Sequence, residues 1–399
     1  MKLATLAAAI LGLSTAAIAQ PLEGLWTATV TVNNQEVPFR IGFSGDGSNV
    51  KGWFFNGDEK VPSTGGTLEN GVLTLRFDHY ATKLQAKLRN GMLDGTYGKE
   101  GRQYAFHAAP YHADTAAEGS VPAIAGLWDI EVNSPKGEKA WHLIVTQHGA
   151  EVSATVLRVD GDTGLLTGSY RDGKFIVSHF SGARPNLTTL ALAADGTLAV
   201  VQNGKELTAV RSTEARAKGL PAPDDPMRHT TIKDPNAQFQ FSFPDLNGRL
   251  ISNTDARFRG KVILVAIGGS WCPNCHDEAP YLEALYRRYR QAGLEVVGLS
   301  FEEGDQLKDP ARLRAFVKQY GIEYPVLLAG EPSDLNAKVP GAVNLNAWPT
   351  TFFIGRDGRV RAIHTGFAGN ASGELHDDMV KEIEGALAGL LAENTTAAK

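Results

Sequence analysis

The chain has 399 residues, 43% hydrophobic and 21% charged, with a formal net charge of −5. That is a globular balance, long enough for two or three domains at roughly 100–200 residues each. The weak negative charge excludes a nucleic-acid partner, which would need clustered Lys and Arg. Two cysteines, Cys272 and Cys275, exclude a disulfide-stapled framework.

Residues 1–19 read as a signal peptide. Met1-Lys2 carries one positive charge, Leu3 to Ile18 is an apolar Ala/Leu-rich run, and Ala17-Ile18-Ala19 is the small-x-small pattern of a cleavage site. The run is short for a spanning helix, and no later stretch approaches about 18 unbroken apolar residues. No Cys stands at the cleavage point for a lipid anchor. The expected product is soluble and secreted, periplasmic in a bacterium.

Residues 20–212 look like two duplicated antiparallel β units, 20–113 and 120–212. Gly24-Leu25-Trp26 recurs as Gly126-Leu127-Trp128, Thr67–Leu75 lines up with Thr167–Val177, and Asn90-Gly91 corresponds to Asp195-Gly196. Alternating segments such as Ala28–Val32 and Trp141–Val145 are punctuated by Asn-Gly and Asp-Gly pairs, which are hairpin signals. About eight strands per unit predict a barrel or sandwich of lipocalin-like size. Closed or open, and two copies or one composite sheet, stay open alternatives. Trp26 and Trp128 are expected in the core. His79, His107, His112, His142, His148 and His179 show no metal-ligand spacing. These units read as a β scaffold for partner docking.

Residues 213–236 are expected to be a linker. Pro221-Ala222-Pro223-Asp224-Asp225-Pro226 is stiff and polar, and should separate domains without collapsing on them.

From 237 to 395 strand and helix alternate. Val262–Ile267 and Leu294–Leu299 are continuous apolar runs, the mark of strands buried on both faces. Leu282, Leu285, Tyr286 and Tyr289 form a helical stripe ended by Gly293, and Leu313, Phe316, Val317 and Tyr320 form another before Gly321. Strands over 325–329, 351–354 and 360–364 follow, and Leu375, Met379, Ile383, Leu387 and Leu390 mark a last helix. The order β-α-β-α-β-β-α predicts a thioredoxin-like α/β domain with helices on both faces of its sheet.

The chemistry concentrates in Ser270-Trp271-Cys272-Pro273-Asn274-Cys275, where a buried strand hands over to a helix. Backbone N–H groups and the helix dipole favour an anion there, and in comparable sites the first thiol falls to between about 3.5 and 7.5. One helical turn brings the second sulfur within bonding reach, so Cys272 is the expected nucleophile and Cys275 the resolving thiol. A zinc site would need two further ligands at suitable spacing, so no metal is expected. A structural disulfide over so short a loop would add little stability. Cys272-Pro273-Asn274-Cys275-His276 also matches the c-type haem attachment pattern, so a haem protein is an alternative.

Trp271-Cys272-Pro273-Asn274-Cys275, Glu278 and Pro280 after it, Trp348-Pro349-Thr350-Thr351-Phe352-Phe353 and the lead-in Phe243–Gly248 together resemble the TlpA/ResA-like thioredoxin family of periplasmic disulfide reductases. The resemblance spans residues 237–395, about two-fifths of the chain. It implies that Pro349 is cis and faces the cysteines, exposing the Trp348 backbone to a substrate peptide. It also implies that Glu278 relays the thiol proton, against the alternative of an ordinary solvated helix glutamate. Trp271, Pro273, Asn274, Trp348 and Pro349 are thus expected to bind substrate, with the two tryptophans walling an apolar groove or packing on the domain edge. One departure stands out: thioredoxins carry a buried Asp six residues before the first Cys, and this chain has Ala266. Glu302, Glu303 and Asp305 read as a solvated rim.

The expected function is a thiol–disulfide oxidoreductase that reduces disulfide-bearing partner proteins without an organic cofactor. By the resemblance, it would draw electrons from a membrane dithiol donor and serve cytochrome c maturation or repair of secreted proteins. A thiol peroxidase on the same fold, which would need a Thr and Arg constellation at the Cys, is one alternative. A β-barrel binding protein with an auxiliary redox domain is another. Oligomeric state and direction of electron flow are not legible.

Overall fold

The computed structural model describes residues 22–112 and 120–393; the expected signal peptide lies outside them. Two separate β units precede an α/β domain. The first has nine strands from Gly24 to Pro110, successive strands pairing antiparallel except Glu59–Pro62 with Gly65–Glu69, and Gly24–Val32 also pairs with Arg102–Pro110. The ring is open between Glu59–Pro62 and Gly65–Glu69. Asn33, Asn34, Asn70 and Asn90 sit at positive φ in its hairpins, the conformation that tight two-residue turns demand and Asn tolerates.

The second unit also has nine strands, from Gly126 to Arg211. Here Gly126–Glu131 pairs with Lys205–Arg211, and Ala140–His148 pairs with Glu151–Arg158, which closes an eight-stranded barrel with Gly161–Asp162 as a short ninth strand on its rim. The strand count exceeds the expected eight because each unit carries one such short strand, Glu59–Pro62 in the first. Trp26 and Trp128 both lie in the cores. Trp128 donates from Nε1 to the Ile124 carbonyl at 2.9 Å and carries the Arg211 guanidinium 3.9 Å over its ring.

The open ring of the first unit is filled from outside. Phe180 of the second unit is 1% exposed inside the first unit's core, 4.8 Å from the Phe39 ring and 5.3 Å from those of Phe54 and Tyr97. The Tyr97 hydroxyl donates to the Gly182 carbonyl (2.8 Å), and Ser178 Oγ to the Pro38 carbonyl (2.6 Å). An aromatic borrowed from a neighbour thus does what a further strand pair would do. It also ties the two units into one body.

The linker is docked instead of solvated. Ser212–Ala217 and Pro226–His229 are helical, and Thr231–Ile232 pairs with Ala342–Val343. His229 is buried between Asp224 (2.8 Å) and Asn346 (2.9 Å). Its polar side chains find partners on the next domain, which the proline pattern alone could not reveal.

The α/β domain has a five-stranded sheet: β1 (Val262–Gly268), β2 (Leu294–Phe301), β3 (Val326–Gly330), β4 (Thr350–Ile354) and β5 (Val360–Thr365), in the order β3-β2-β1-β4-β5. β1, β2 and β3 run parallel, while β4 is antiparallel to β1 and β5. Helices α1 (Pro273–Tyr289), α2 (Ala311–Tyr320) and α3 (Glu374–Ala392) bury Leu282, Leu285, Leu313, Phe316, Met379 and Ile383 in one cluster on one face. Helices are expected on both faces; the three main ones share one face, and the short helix Leu335–Lys338 lies on the other. The crossovers β1-α1-β2 and β2-α2-β3 step the same way across the sheet, so their common right-handedness puts both helices on one side. The lead-in segment with Phe239, Phe241, Phe243 and Ile251, and the short helix Leu335–Lys338, cover the other.

Candidate active site

Cys272 is the N-cap of α1, with Pro273 at the first helical position, where its missing N–H costs nothing. Cys272 Sγ accepts from the Cys275 N–H at 3.3 Å. Both cysteines are free thiols, 3% and 5% exposed. Burial, with the neighbouring Cys272 and Glu278, pushes the Cys275 thiol well above its usual range.

Glu278 is 6% exposed one turn beyond Cys275, and accepts from Thr351 Oγ1 at 2.8 Å. Burial raises its carboxyl to about 8 against that hydrogen bond. It is not a solvated helix glutamate. Ala266 pairs across the sheet with Thr351, so a buried carboxyl is held next to the Ala266 position, supplied by α1 instead of β1.

The Trp348–Pro349 peptide is cis, and Pro349 is buried. Trp348 meets Trp271 edge-to-face at 5.5 Å, and Trp271 Nε1 donates to the Phe301 carbonyl at 2.8 Å. The two partly exposed tryptophans therefore stand together beside the motif.

Beneath the motif lies a network the sequence did not announce. Glu302 is fully buried, accepting from the Ser270 N–H (2.7 Å), Ser270 Oγ (2.8 Å), Ser300 Oγ (2.7 Å) and Arg312 Nη2 (2.8 Å). Arg312, 4% exposed, also donates to Ser270 Oγ and to Glu303. Glu302 is thus no solvated rim residue: it fixes the loop two residues before Cys272. Glu303 keeps to the surface, bonded to Lys99 of the first β unit at 3.2 Å.

His276 is engaged at both ring nitrogens. Nε2 donates to the Ser270 carbonyl (2.9 Å), so Nδ1 accepts the Tyr320 hydroxyl (2.9 Å). Burial lowers its pKa to about 3, which keeps it neutral. Tyr80 of the first β unit packs on it at 4.2 Å with 32° between ring planes. An imidazole so held offers no nitrogen to an iron, and the cysteines beside it are buried, so these residues do not fit a haem.

The β units reach the motif itself. Asn274, 6% exposed, donates from Nδ2 to the Asp160 carbonyl (2.6 Å) and accepts at Oδ1 from Arg184 Nη1. Arg184 Nη2 pairs with Asp277 at 3.0 Å and Nη1 bonds the Asp162 carbonyl at 3.1 Å. Burial raises Asp277 to about 6 despite Arg184. Asn274 was expected to meet substrate; both ends of its amide are instead taken by the barrel. Pro273 stays partly exposed. Arg184 lies 90 residues from Asn274 in a segment without a chemical motif, so no local signal could have found it.

Residues 235–363 match the AhpC/TSA family. The thiol-disulfide oxidoreductase ResA of Bacillus anthracis is 33% identical over 120 residues, 30% of this chain and 62% of that protein. ResA of Geobacillus thermodenitrificans is 30% identical over 141 residues, 35% of this chain and 74% of the relative. Through its C-terminal domain, this chain belongs to the ResA thiol-disulfide oxidoreductases. The chain spans 62% of the length of the first ResA relatives it matches, and the likeness to ResA covers the C-terminal region only. A secreted thiol-disulfide isomerase of Corynebacterium glutamicum is similar in structure, with 22% identity and a TM-score of 0.32, over 43% of this chain and 96% of that one. No helix among the described residues is long and apolar enough to cross a membrane.

Proposed function

We propose that this chain is a periplasmic thiol–disulfide oxidoreductase that reduces disulfides of partner proteins through Cys272 and Cys275. The observation that carries the reading is a pair of free thiols one turn apart at the start of α1, with the Cys275 N–H on Cys272 Sγ and a carboxyl of raised pKa buried directly beyond the second thiol. The Cys272 thiolate attacks one sulfur of the substrate disulfide, forming a mixed disulfide and releasing one substrate thiolate, which takes up a proton. Cys275 then loses its proton and attacks the Cys272 sulfur, closing the Cys272–Cys275 disulfide and releasing the second substrate thiol. Two electrons and two protons pass from dithiol to substrate. A dithiol donor, in this reading a membrane protein, must return them before the next turnover. Glu278, its pKa raised to about 8 by burial, accepts the Cys275 proton when in its ionised form, as that thiol becomes a nucleophile.

A peroxidase would place an arginine free at the peroxidatic sulfur. The arginines near this motif are committed elsewhere, Arg184 to Asn274 and Asp277 and Arg312 to Glu302 and Glu303. The matching strand order of the two β units, with equivalent hairpins at Thr67–Leu75 and Thr167–Val177, supports their origin by duplication.

The test is the acceleration of disulfide reduction above the rate of dithiothreitol alone. Cys272→Ser should abolish the acceleration, and Cys275→Ser should accumulate a mixed disulfide with substrate, seen as a reducible mass adduct. Acceleration that survives Cys272→Ser refutes the reading.

A further inference from the structure

The dithiol sits beneath a wall that another part of the chain provides. Segment 159–164 of the barrel and Arg184 lie against the first turn of α1 and against residues 366–372. Asn274 is bonded from both sides by Asp160 and Arg184. Asp277 is paired with Arg184. Asp162 accepts from Ser372 Oγ at 3.0 Å, between residues 1% exposed.

The approach is too close for chance surface contact. Gly161, at φ +116°, lies so near the motif that a Cβ would overlap the Phe367 carbonyl and come within 2.7 Å of Asn274 Nδ2. Gly366, at φ +76°, faces the Val159 carbonyl with no room for a Cβ either. Each side of the seam thus brings bare backbone to the other. Nor is the wall a loose loop. Segment 180–184 is pinned by Phe180 in the first unit's core and by the Gly182 carbonyl on Tyr97. Tyr80 of that unit rests on His276. Both units therefore brace Arg184.

We infer that the β units form the specificity-determining wall of the dithiol site, with Arg184 as its positioning residue. With Cys272 3% exposed and Trp271 and Trp348 partly exposed beside it, the approach that this wall leaves is along the Trp271–Trp348 side. The inference rests on the reductase reading and names its substrate class: disulfides in short peptides or on extended segments that enter along the tryptophan pair. Disulfides on the surface of bulky folded proteins are turned away. An attacking thiolate must line up with the S–S bond, so whatever occupies the rim decides which partner chains can follow their sulfur in.

The experiment reads access and reaction separately in the full chain. With Cys275→Ser as background, Cys272 is labelled with N-ethylmaleimide and with a polyethylene-glycol maleimide several times wider, and an unstructured cysteine peptide calibrates the two reagents. The wide reagent should be slowed about tenfold or more beyond the peptide's ratio, since obstructing one approach removes most productive orientations. Arg184→Ala with Ser372→Ala should return the ratio to near the peptide's, with Arg184→Lys in between. Ser372→Ala alone, which loses one hydrogen bond across the seam, should move the ratio in the same direction should the double variant not fold. A ratio in the unaltered wall equal to the peptide's overturns the inference, and so does a folded double variant that leaves the ratio unchanged.

With both cysteines restored, the double variant should gain on insulin relative to a disulfide-closed nonapeptide, where mere destabilisation would lower both rates. An unchanged insulin-to-peptide ratio refutes the specificity. If no form reduces either substrate, the reductase reading falls, while the labelling ratios still judge the wall.

Discussion

Glu278→Gln isolates one proton. Glutamine keeps an oxygen for the Thr351 hydroxyl, now 2.8 Å from Glu278 Oε1, and cannot ionise. In the folded chain burial holds the carboxyl to about 8, against 4.5 for an ordinary glutamate. Between those values the folded state binds a proton that the unfolded chain has released. The stabilisation is complete below about pH 4.5 and is lost as pH rises through about 8. At about 1.4 kcal/mol per unit, the full swing is on the order of 5 kcal/mol. Thermal unfolding of the unaltered protein should therefore weaken from pH 5 to pH 8 more steeply than that of Glu278→Gln, and the gap should close toward pH 5. Closure of the mixed disulfide, followed by stopped-flow Trp271 fluorescence, should slow by about 10²-fold in the variant, the lower end of what a positioned acid or base contributes. Parallel stability profiles, or an unchanged closing rate, would refute the account of Glu278.

Three further outcomes follow from packing. Glu302→Ala leaves the buried Arg312 guanidinium with Glu303 as its remaining carboxylate and strips the Ser270 and Ser300 donors of their acceptor, and should cost about 1–3 kcal/mol, seen as a lowered unfolding temperature; Glu302→Gln, which keeps hydrogen-bonding oxygen and nitrogen, should cost less. Phe180→Ala empties the filled mouth of the first unit and should cost about 3–5 kcal/mol, with faster proteolysis of the β units as the second readout. Gly161→Ala forces a Cβ against Phe367 and Asn274 at an unfavourable φ, so a loss of about 1–3 kcal/mol is expected; a variant as stable as its parent would show that the seam is looser than described.

The C-terminal domain was legible because its determinants are local. The apolar run at Val262–Ile267 could only be a strand covered on both faces, the stripes at Leu282–Tyr289 and Leu313–Tyr320 only helices, and two cysteines one turn apart at a helix start carry their chemistry with them. The side of the sheet taken by the helices was not local. It follows from two crossovers of the same hand stepping in the same direction. Barrel closure is likewise a property of strand pairs far apart in sequence. Ala140–His148 meets Glu151–Arg158 to close one unit, whereas the other is left open and filled by Phe180.

By itself, the sequence determined a hairpin-rich N-terminal part, a thioredoxin-like C-terminal domain, and a Cys272–Cys275 pair at a helix start, because turn chemistry, periodicity and spacing act within a few residues. Only the tertiary structure decided that Glu302 is buried under the motif and that Asn274 faces a barrel instead of solvent. It alone gave Arg184 a part in the site, since an ion pair spanning 93 residues is written in no local pattern. Burial, which sets the proton affinity of Glu278, exists only once the chain has packed.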